Sequence, residues 1–404
     1  QIGVFLGQPR GEIDDLEGLF KAIAAAGADG MELDSWKLDL ARATTPEGAL
    51  IYAEELMELA KGFDLSIFSI AAHLQGQALG DEPSVKTLQF MGGAPVDAYL
   101  EWRETNRAPR GNPYYVPDNV ANLMREKATE DLKAIGRLAF HLGILQDRNV
   151  PISGFTGAPA DLWASWFPFP PEPTTIGGNV GEGGVSIFDW DSGKAADEQE
   201  THLDRAYALL LERFGPVWKF YQEYPQEQNA PEGHPGILFG LEAHPTEIAM
   251  GDFASAWEFI KRVHGAGFTN VGFNFDNSHQ EWQDVDGIAF IHEFGKWIWS
   301  VHIKGVAVRS RRSGYTRAGR LGGYTKFGNW QRTMDFVLAC SSQDDCDEGA
   351  IIIALNQVGF VGALTIELED NDVKLIPALA STIEQIAELD LEPSAGAFDA
   401  AFKA

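Results

Sequence analysis

Asn270-Val271-Gly272-Phe273-Asn274-Phe275-Asp276 is an apolar run that ends on a carboxylate, and its reading decides the fold. A run this short and continuous reads as a strand buried on both faces, as in a parallel sheet. Three other stretches of the second half end in the same way: Gly240-Leu241-Glu242, Ser300-Val301-His302 and Thr365-Ile366-Glu367. Three carboxylates and one imidazole, brought together at the carboxyl ends of strands, suit a hard-to-borderline divalent cation, Mn²⁺ or Mg²⁺ before Zn²⁺.

Outward from that stretch, apolar runs alternate with amphipathic ones over the whole chain. Strands are expected at 2–6, 30–33, 66–72, 150–155, 237–243, 270–275, 299–303 and 363–368. The helices expected between them are 13–26, 46–62, 119–142 with Asp118 as its cap, 197–221, 253–264, 287–295, 349–357 and 373–387. Ala26-Gly27-Ala28 and Ala266-Gly267-Phe268 read as helix exits. Eight strand–helix units predict a single (β/α)₈ TIM barrel spanning 1–404. No Gly-x-Gly-x-x-Gly follows the first strand, which argues against a doubly wound open sheet.

Three long irregular segments, about 74–117, 156–196 and 305–348, follow strands 3, 4 and 7, and a tail covers about 391–404. In a barrel, loops after strands rise over the mouth that carries the site. The middle one holds Trp163, Trp166, Phe167 and Phe169, which read as an apolar wall over substrate or as packing on the rim.

The 404 residues carry a net charge of -28, which argues against nucleic acid or an anionic membrane as partner. No run of about 18 apolar residues reads as a membrane span. The chain opens on Gln1-Ile2-Gly3-Val4 with no basic-then-apolar leader, although a start on Gln1 leaves processing open. Cys340 and Cys346, in a Ser- and Asp-rich stretch that reads as a solvated loop, are too few for a disulfide framework, and a cytoplasmic home is the default.

Residues two apart on a strand share a face, so His244 should join Glu242 at the mouth, and Lys304 should join His302. His279 lies three beyond Asp276, within reach of one pocket, and Glu369 repeats the spacing after Glu367. His244 and His279 read as substrate contacts, and Lys304 as a substrate contact or a carboxylate partner. Glu32, Asp34 and His73 end early strands and read as an opposite rim or as structural pairs.

The stretches GLEAHPTEIAMGDF (240–253), VGFNFDNSHQEWQDVDGIAFIHEFG (271–295), VHIKGVAVR (301–309) and GALTIELEDND (362–372) resemble the sugar phosphate isomerase/epimerase family, the xylose-isomerase-like TIM barrels. So do residues 2–34 and ISGFTGAP (152–159), and the likeness runs from about residue 2 to 390. It implies Mn²⁺, or Mg²⁺ or Co²⁺, on Glu242, Asp276, His302 and Glu367. It also implies Glu242 and Glu367 as the acid/base pair, with His279 and Arg309 binding substrate.

Two departures stand out. CSSQDDCDEGA (340–350) replaces a GHGDVDW-like stretch, and Gly305 stands where the family often has the acid of HAKD or HVKD. An acid beside the ligand histidine is then absent or comes from elsewhere.

Abstraction of a proton α to a carbonyl serves isomerisation, epimerisation or, with a β-leaving group, elimination. The leading reading is therefore a metal-dependent sugar or keto-sugar isomerase or epimerase. The alternative keeps the site as the catalytic subunit of a 3-keto-glycoside-cleaving lyase. An endonuclease-type phosphodiesterase ranks lower, because the chain is acidic and holds only nine histidines. Arg309, Arg311, Arg312, Arg317, Arg320 and Lys326 make a basic loop in this acidic chain. It suits a second copy or small second subunit, a substrate grip, or a solvated loop.

Overall fold

The computed structural model describes residues 1–6, 13, 15–110, 112, 114–161, 194, 200–309, 311, 333–370 and 372–390. All eight expected strands form: β1 (Ile2–Phe5), β2 (Gly30–Asp34), β3 (Ser66–Ala71), β4 (Ile152–Gly154), β5 (Phe239–Glu242), β6 (Val271–Asp276), β7 (Ile298–Ile303) and, as the last barrel strand, β10 (Leu364–Glu367). They close into one parallel barrel in the order β1-β10-β7-β6-β5-β4-β3-β2, with Ile2 opposite Leu364 and Phe5 opposite Glu367 at the closure. The molecule is a (β/α)₈ barrel, as the alternation of runs predicts.

The helices outside it form for local reasons. Asp252 accepts from the amides of Ala254 and Ser255 at the start of Phe253–Gly265, whose Phe259, Ile260 and Val263 are buried. Burying each of those side chains contributes roughly 2 kcal/mol. Gly27 ends Leu16–Ala26 in the left-handed region (φ 89°), where glycine carries no Cβ penalty. Among the described residues, no helix is long and apolar enough to cross a membrane.

Two β-bulges shape the barrel interior. Between β2 and β3 the register steps from Met31–Ile67 to Glu32–Ser69, which leaves Phe68 as an extra residue. Between β6 and β7 it steps from Phe273–Ile298 to Asn274–Ser300, which leaves Trp299 extra. β3 and β7 lie four strands apart in the ring of eight, so the two aromatic rings enter from opposite sides. Glycines make room for them. A Cβ on Gly3 or Gly30 would come within 2.8 or 2.6 Å of the Phe68 ring, and one on Gly272 would overlap the Trp299 indole.

Elsewhere the structure departs from expectation. The 74–117 segment is largely helical, with His73–Gly80, Val85–Met91 and Gly93–Thr105. Ser84 and Thr87 form a reciprocal capping box at the second of these. Asp118 is the first helical residue of Asp118–Gln146 rather than its cap; Pro117 holds the cap position without a side-chain hydrogen bond.

After β7, an antiparallel ribbon of β8 (Gly305–Val308) and β9 (Met334–Val337) rises from the barrel. The 340–346 stretch is not simply a solvated loop, because its acids satisfy that ribbon. Asp344 accepts from the Val306 amide and Asp345 from the Val308 amide. Both cysteines are free. Trp163, Trp166, Phe167, Phe169, Arg312, Arg317, Arg320, Lys326 and the 391–404 tail lie outside the described residues.

Candidate metal centre and active site

Parallel pairing aligns the strand ends and so brings the four candidate ligands together. Asp276, the last residue of β6, pairs with His302 on β7, and Glu242 ends β5 opposite Asn274. Glu367 ends β10, two residues beyond Thr365, which pairs with His302. One donor atom from each of Glu242, Asp276, His302 and Glu367 lies within 4.8 Å of all the others. His302 Nδ1 stands 3.0 Å from Glu242 Oε2 and 3.2 Å from Glu367 Oε2.

The donors are held from behind. Asp276 Oδ1 accepts from the Ser278 amide and hydroxyl at 2.8 and 2.7 Å, while the Asn274 amide nitrogen donates to Glu242 Oε2 at 2.9 Å. Asp276 Oδ2 and Glu367 Oε2 are buried, yet neither accepts a hydrogen bond. Buried carboxylate oxygens cost free energy unless a cation meets them, and here the Lys304 ammonium stands 3.7 Å from Asp276 Oδ2 and 3.2 Å from Glu367 Oε2. The donor set, three carboxylates and one imidazole nitrogen facing a common point, fits a divalent ion.

Charge inside the site is shared rather than isolated. Burial pulls the Glu242 carboxyl up, but His302, His73 and His279 outweigh it and hold the group well below the usual carboxylate range. Burial also opposes charging of His302, and Glu32 with Glu242 overcomes it, raising the imidazole well above its ordinary value. That imidazolium is the charge a divalent cation would replace.

The acid that Gly305 does not supply behind His302 comes from across the barrel. Both oxygens of Glu32, on β2, lie 3.3 Å from His302 Nε2. Glu32 is itself fixed by Ser69 at 2.5 Å and Ser153 at 2.6 Å. A carboxylate on the far nitrogen sets the tautomer and aim of a ligand histidine. His73 also pairs inward, with Nε2 3.0 Å from Glu242 Oε2. Asp34 does neither; among the described residues its only cationic neighbour is Lys37 at 4.0 Å, and burial pushes its carboxyl up to about 8.

The neighbours expected to meet substrate fall in two places. The rings of His244 and His279 are 4.8 Å apart, and His279 Nε2 is 3.3 Å from Glu242 Oε1. Burial and the adjacent His279 push the His244 imidazole down to about 3, so it is neutral. Its Nδ1 donates to the Pro245 carbonyl at 2.6 Å, which leaves Nε2 as an acceptor. Lys304 is buried among carboxylates, with Nζ 2.8 Å from Glu369, 3.2 Å from Glu367 and 3.7 Å from Asp276.

Arg309 sits just past β8, 3.3 Å from Asp335, and Arg311 is clasped by Glu281 and Asp284. Aromatic rings add walls that the sequence reading missed. Phe5 stacks on His302 at 5.2 Å, Phe155 lies 4.5 Å from both His73 and His244, and Phe336 of β9 lies 5.9 Å from His279. Phe155 was within reach, since it ends an expected strand, and Phe5 lies one residue before the end of another; nothing marked Phe336.

No protein-family model matches the chain, and no curated protein does. Among solved structures, the chain is similar to a xylose isomerase domain protein from Planctomyces limnophilus, at 14% identity over 96% of both chains with a TM-score of 0.48. It is similar to 3-keto-D-glucoside 4-epimerase from E. coli, at 11% identity over 96% of this chain and 98% of that one, TM-score 0.49. A D-psicose 3-epimerase from Clostridium cellulolyticum H10 is similar at 13% identity over 96% and 99%, TM-score 0.48.

Proposed function

We propose that this chain is a divalent-metal-dependent isomerase or epimerase of a sugar or keto-sugar, with Mn²⁺ the preferred ion and Mg²⁺ or Co²⁺ alternatives. The observation that carries the reading is the convergence of Glu242, Asp276, His302 and Glu367 within 4.8 Å, two of their buried oxygens accepting no hydrogen bond. An ion held there would supply the Lewis acidity that favours ionisation of a C–H bond α to a carbonyl.

The proton itself is moved by the chain's own groups. Glu242 and Glu367 flank His302 Nδ1 at 3.0 and 3.2 Å, so two carboxylates approach one point from different strands. Glu242 is kept ionised by three imidazoles, the protonation state that a proton acceptor needs, although the same imidazoles lower its basicity. If Glu367 returns one on the opposite face, the product is an epimer; if one group both takes and returns it at the neighbouring carbon, the product is an isomer.

His244 Nε2 can accept from a substrate hydroxyl, and His279 can donate to a substrate oxygen beside Glu242. Lys304 holds the carboxylates in place and stands where a substrate oxygen would approach, while Arg309 reaches from the end of the ribbon. The test is ¹H NMR in D₂O on Mn²⁺-loaded protein, with free ketoses in one arm and 3-keto-glycosides in the other. Deuterium should enter a ketose with wild type and not with Glu367→Gln. Unimpaired exchange in Glu367→Gln would remove Glu367 from the acid/base pair, and elimination from a 3-keto-glycoside alone would favour the lyase.

A further inference from the structure

The opposite mouth of the barrel holds a cavity of about 450 Å³, within the range of small-molecule sites. It is bounded by the lower ends of β3, β7 and β10 and by the loops that enter β4, β5 and β10. The extra residues of both bulges, Phe68 and Trp299, line it. Phe68 and Trp299 turn into the lower barrel over glycines, where a standard barrel would carry a filled layer of branched side chains.

Its polar lining has one chemical bias. Arg148 and Lys296 line it, and among the described residues no aspartate or glutamate does, in a chain with 59 acidic and 31 basic residues. Arg148 Nε is buried without a hydrogen-bond partner, and burial alone acts on its guanidinium, with no carboxylate to counter it. Two further donors in the same lining are buried without partners: Trp299 Nε1 and the hydroxyl of Ser300, a residue only 6% exposed. Three buried donors without partners thus belong to residues that line the cavity, and each carries a desolvation cost that an acceptor reaching it would remove. The walls beside them are apolar. The Arg148 guanidinium lies 4.5 Å over the Phe68 ring, and Phe360 faces the space from the loop before β10.

We propose that this cavity is a second ligand site, for a small organic anion whose carboxylate or phosphate meets Arg148, Trp299 and Ser300 while an apolar group packs on Phe68 and Phe360. The site is independent of the metal-dependent reading, because it opens at the other end of the barrel. Isothermal titration calorimetry on the full chain, with benzoate, phenyl phosphate and inorganic phosphate as probes, tests it. One of the two aromatic anions should bind once per chain with a dissociation constant below about 1 mM. Arg148→Gln should weaken that binding by about tenfold or more, since it removes a charge-assisted donor. Ser300→Val, which keeps the volume, should weaken it less.

Affinity should be the same in chelator and in Mn²⁺. No saturable binding of either aromatic anion up to roughly 10 mM would overturn the assignment, as would affinity unchanged in Arg148→Gln. Loss of binding on chelation would put the ligand at the metal mouth, and equal affinity for inorganic phosphate and phenyl phosphate would refute the organic class.

Discussion

Lys304→Met isolates the electrostatics of the candidate metal centre. Lys304 is 3% exposed, and its Nζ touches carboxylates of Glu369, Glu367 and Asp276 at 2.8, 3.2 and 3.7 Å. Burial lowers its pKa, but those carboxylates raise it well above the ordinary lysine value. The group is therefore fully charged at pH 7, and its contribution is lost only at strongly alkaline pH. Methionine keeps most of the length and can still pack on the Phe336 ring, which lies 4.1 Å from Nζ, so the loss is mainly one of charge.

Removing one member of a buried ionic cluster costs about 3–5 kcal/mol, because the partners stay buried and unpaired. Unfolding entropy near 2 cal/mol/K per residue, over 404 residues, gives about 0.8 kcal/mol per degree. The melting temperature in chelator should then fall by about 4–6 °C, read by scanning calorimetry. A divalent ion brings its charge to the same carboxylates, so Mn²⁺ should raise the melting temperature more in the variant than in wild type. A fall of less than roughly 1 °C together with an unchanged Mn²⁺ increment would refute the reasoning.

Mn²⁺ at a hundred times its dissociation constant should stabilise wild type by about 2.7 kcal/mol, or about 3 °C, and metal analysis should find close to one ion per chain. Asp34→Asn should stabilise the chelated protein at pH 7 by about 3–4 kcal/mol in urea unfolding. Asp34 titrates near 8 when folded and near 4 when unfolded, so its penalty grows as pH rises from 4 to 8 and the two proteins should converge toward pH 4. Gly80→Ala should cost about 3 kcal/mol or more, since its Cβ would overlap the Thr156 carbonyl oxygen. Gly62→Ala, also helical but facing open space, should stabilise by about 0.5–1 kcal/mol in the same assay.

The strands and the four donors were legible because one short pattern, an apolar run ending on a ligand, encodes both a buried parallel strand and its position at the mouth. The helices over 73–105 were not, because two of them lack a pronounced apolar face; His73–Gly80 is buried almost all round, and Gly93–Thr105 buries only Pro95 and Tyr99. The bulges at Phe68 and Trp299 were hidden for another reason. Strict alternation assigns each residue a face, and an inserted residue shifts that assignment with no local mark. Glu32 was visible as a strand end, but its partner His302 lies 270 positions away, and only closure of the ring makes them neighbours. The Lys304 cluster was half legible: the spacing placed it beside His302, while its grip on Glu369 depends on β10 lying next to β7.

β10 has two duties. It seals the ring by pairing with β1 on one side and β7 on the other, and it delivers Glu367, the last of the four donors. Sealing the barrel and completing the donor set are therefore a single step in assembly. During synthesis, β5, β6 and β7 leave the ribosome with Glu242, Asp276 and His302 already in sequence, yet no fourth donor exists until the final strand docks. An intermediate lacking β10 would expose the edges of β1 and β7 and would hold cations weakly. A cation at the proposed centre would therefore favour the sealed barrel over an intermediate that lacks β10.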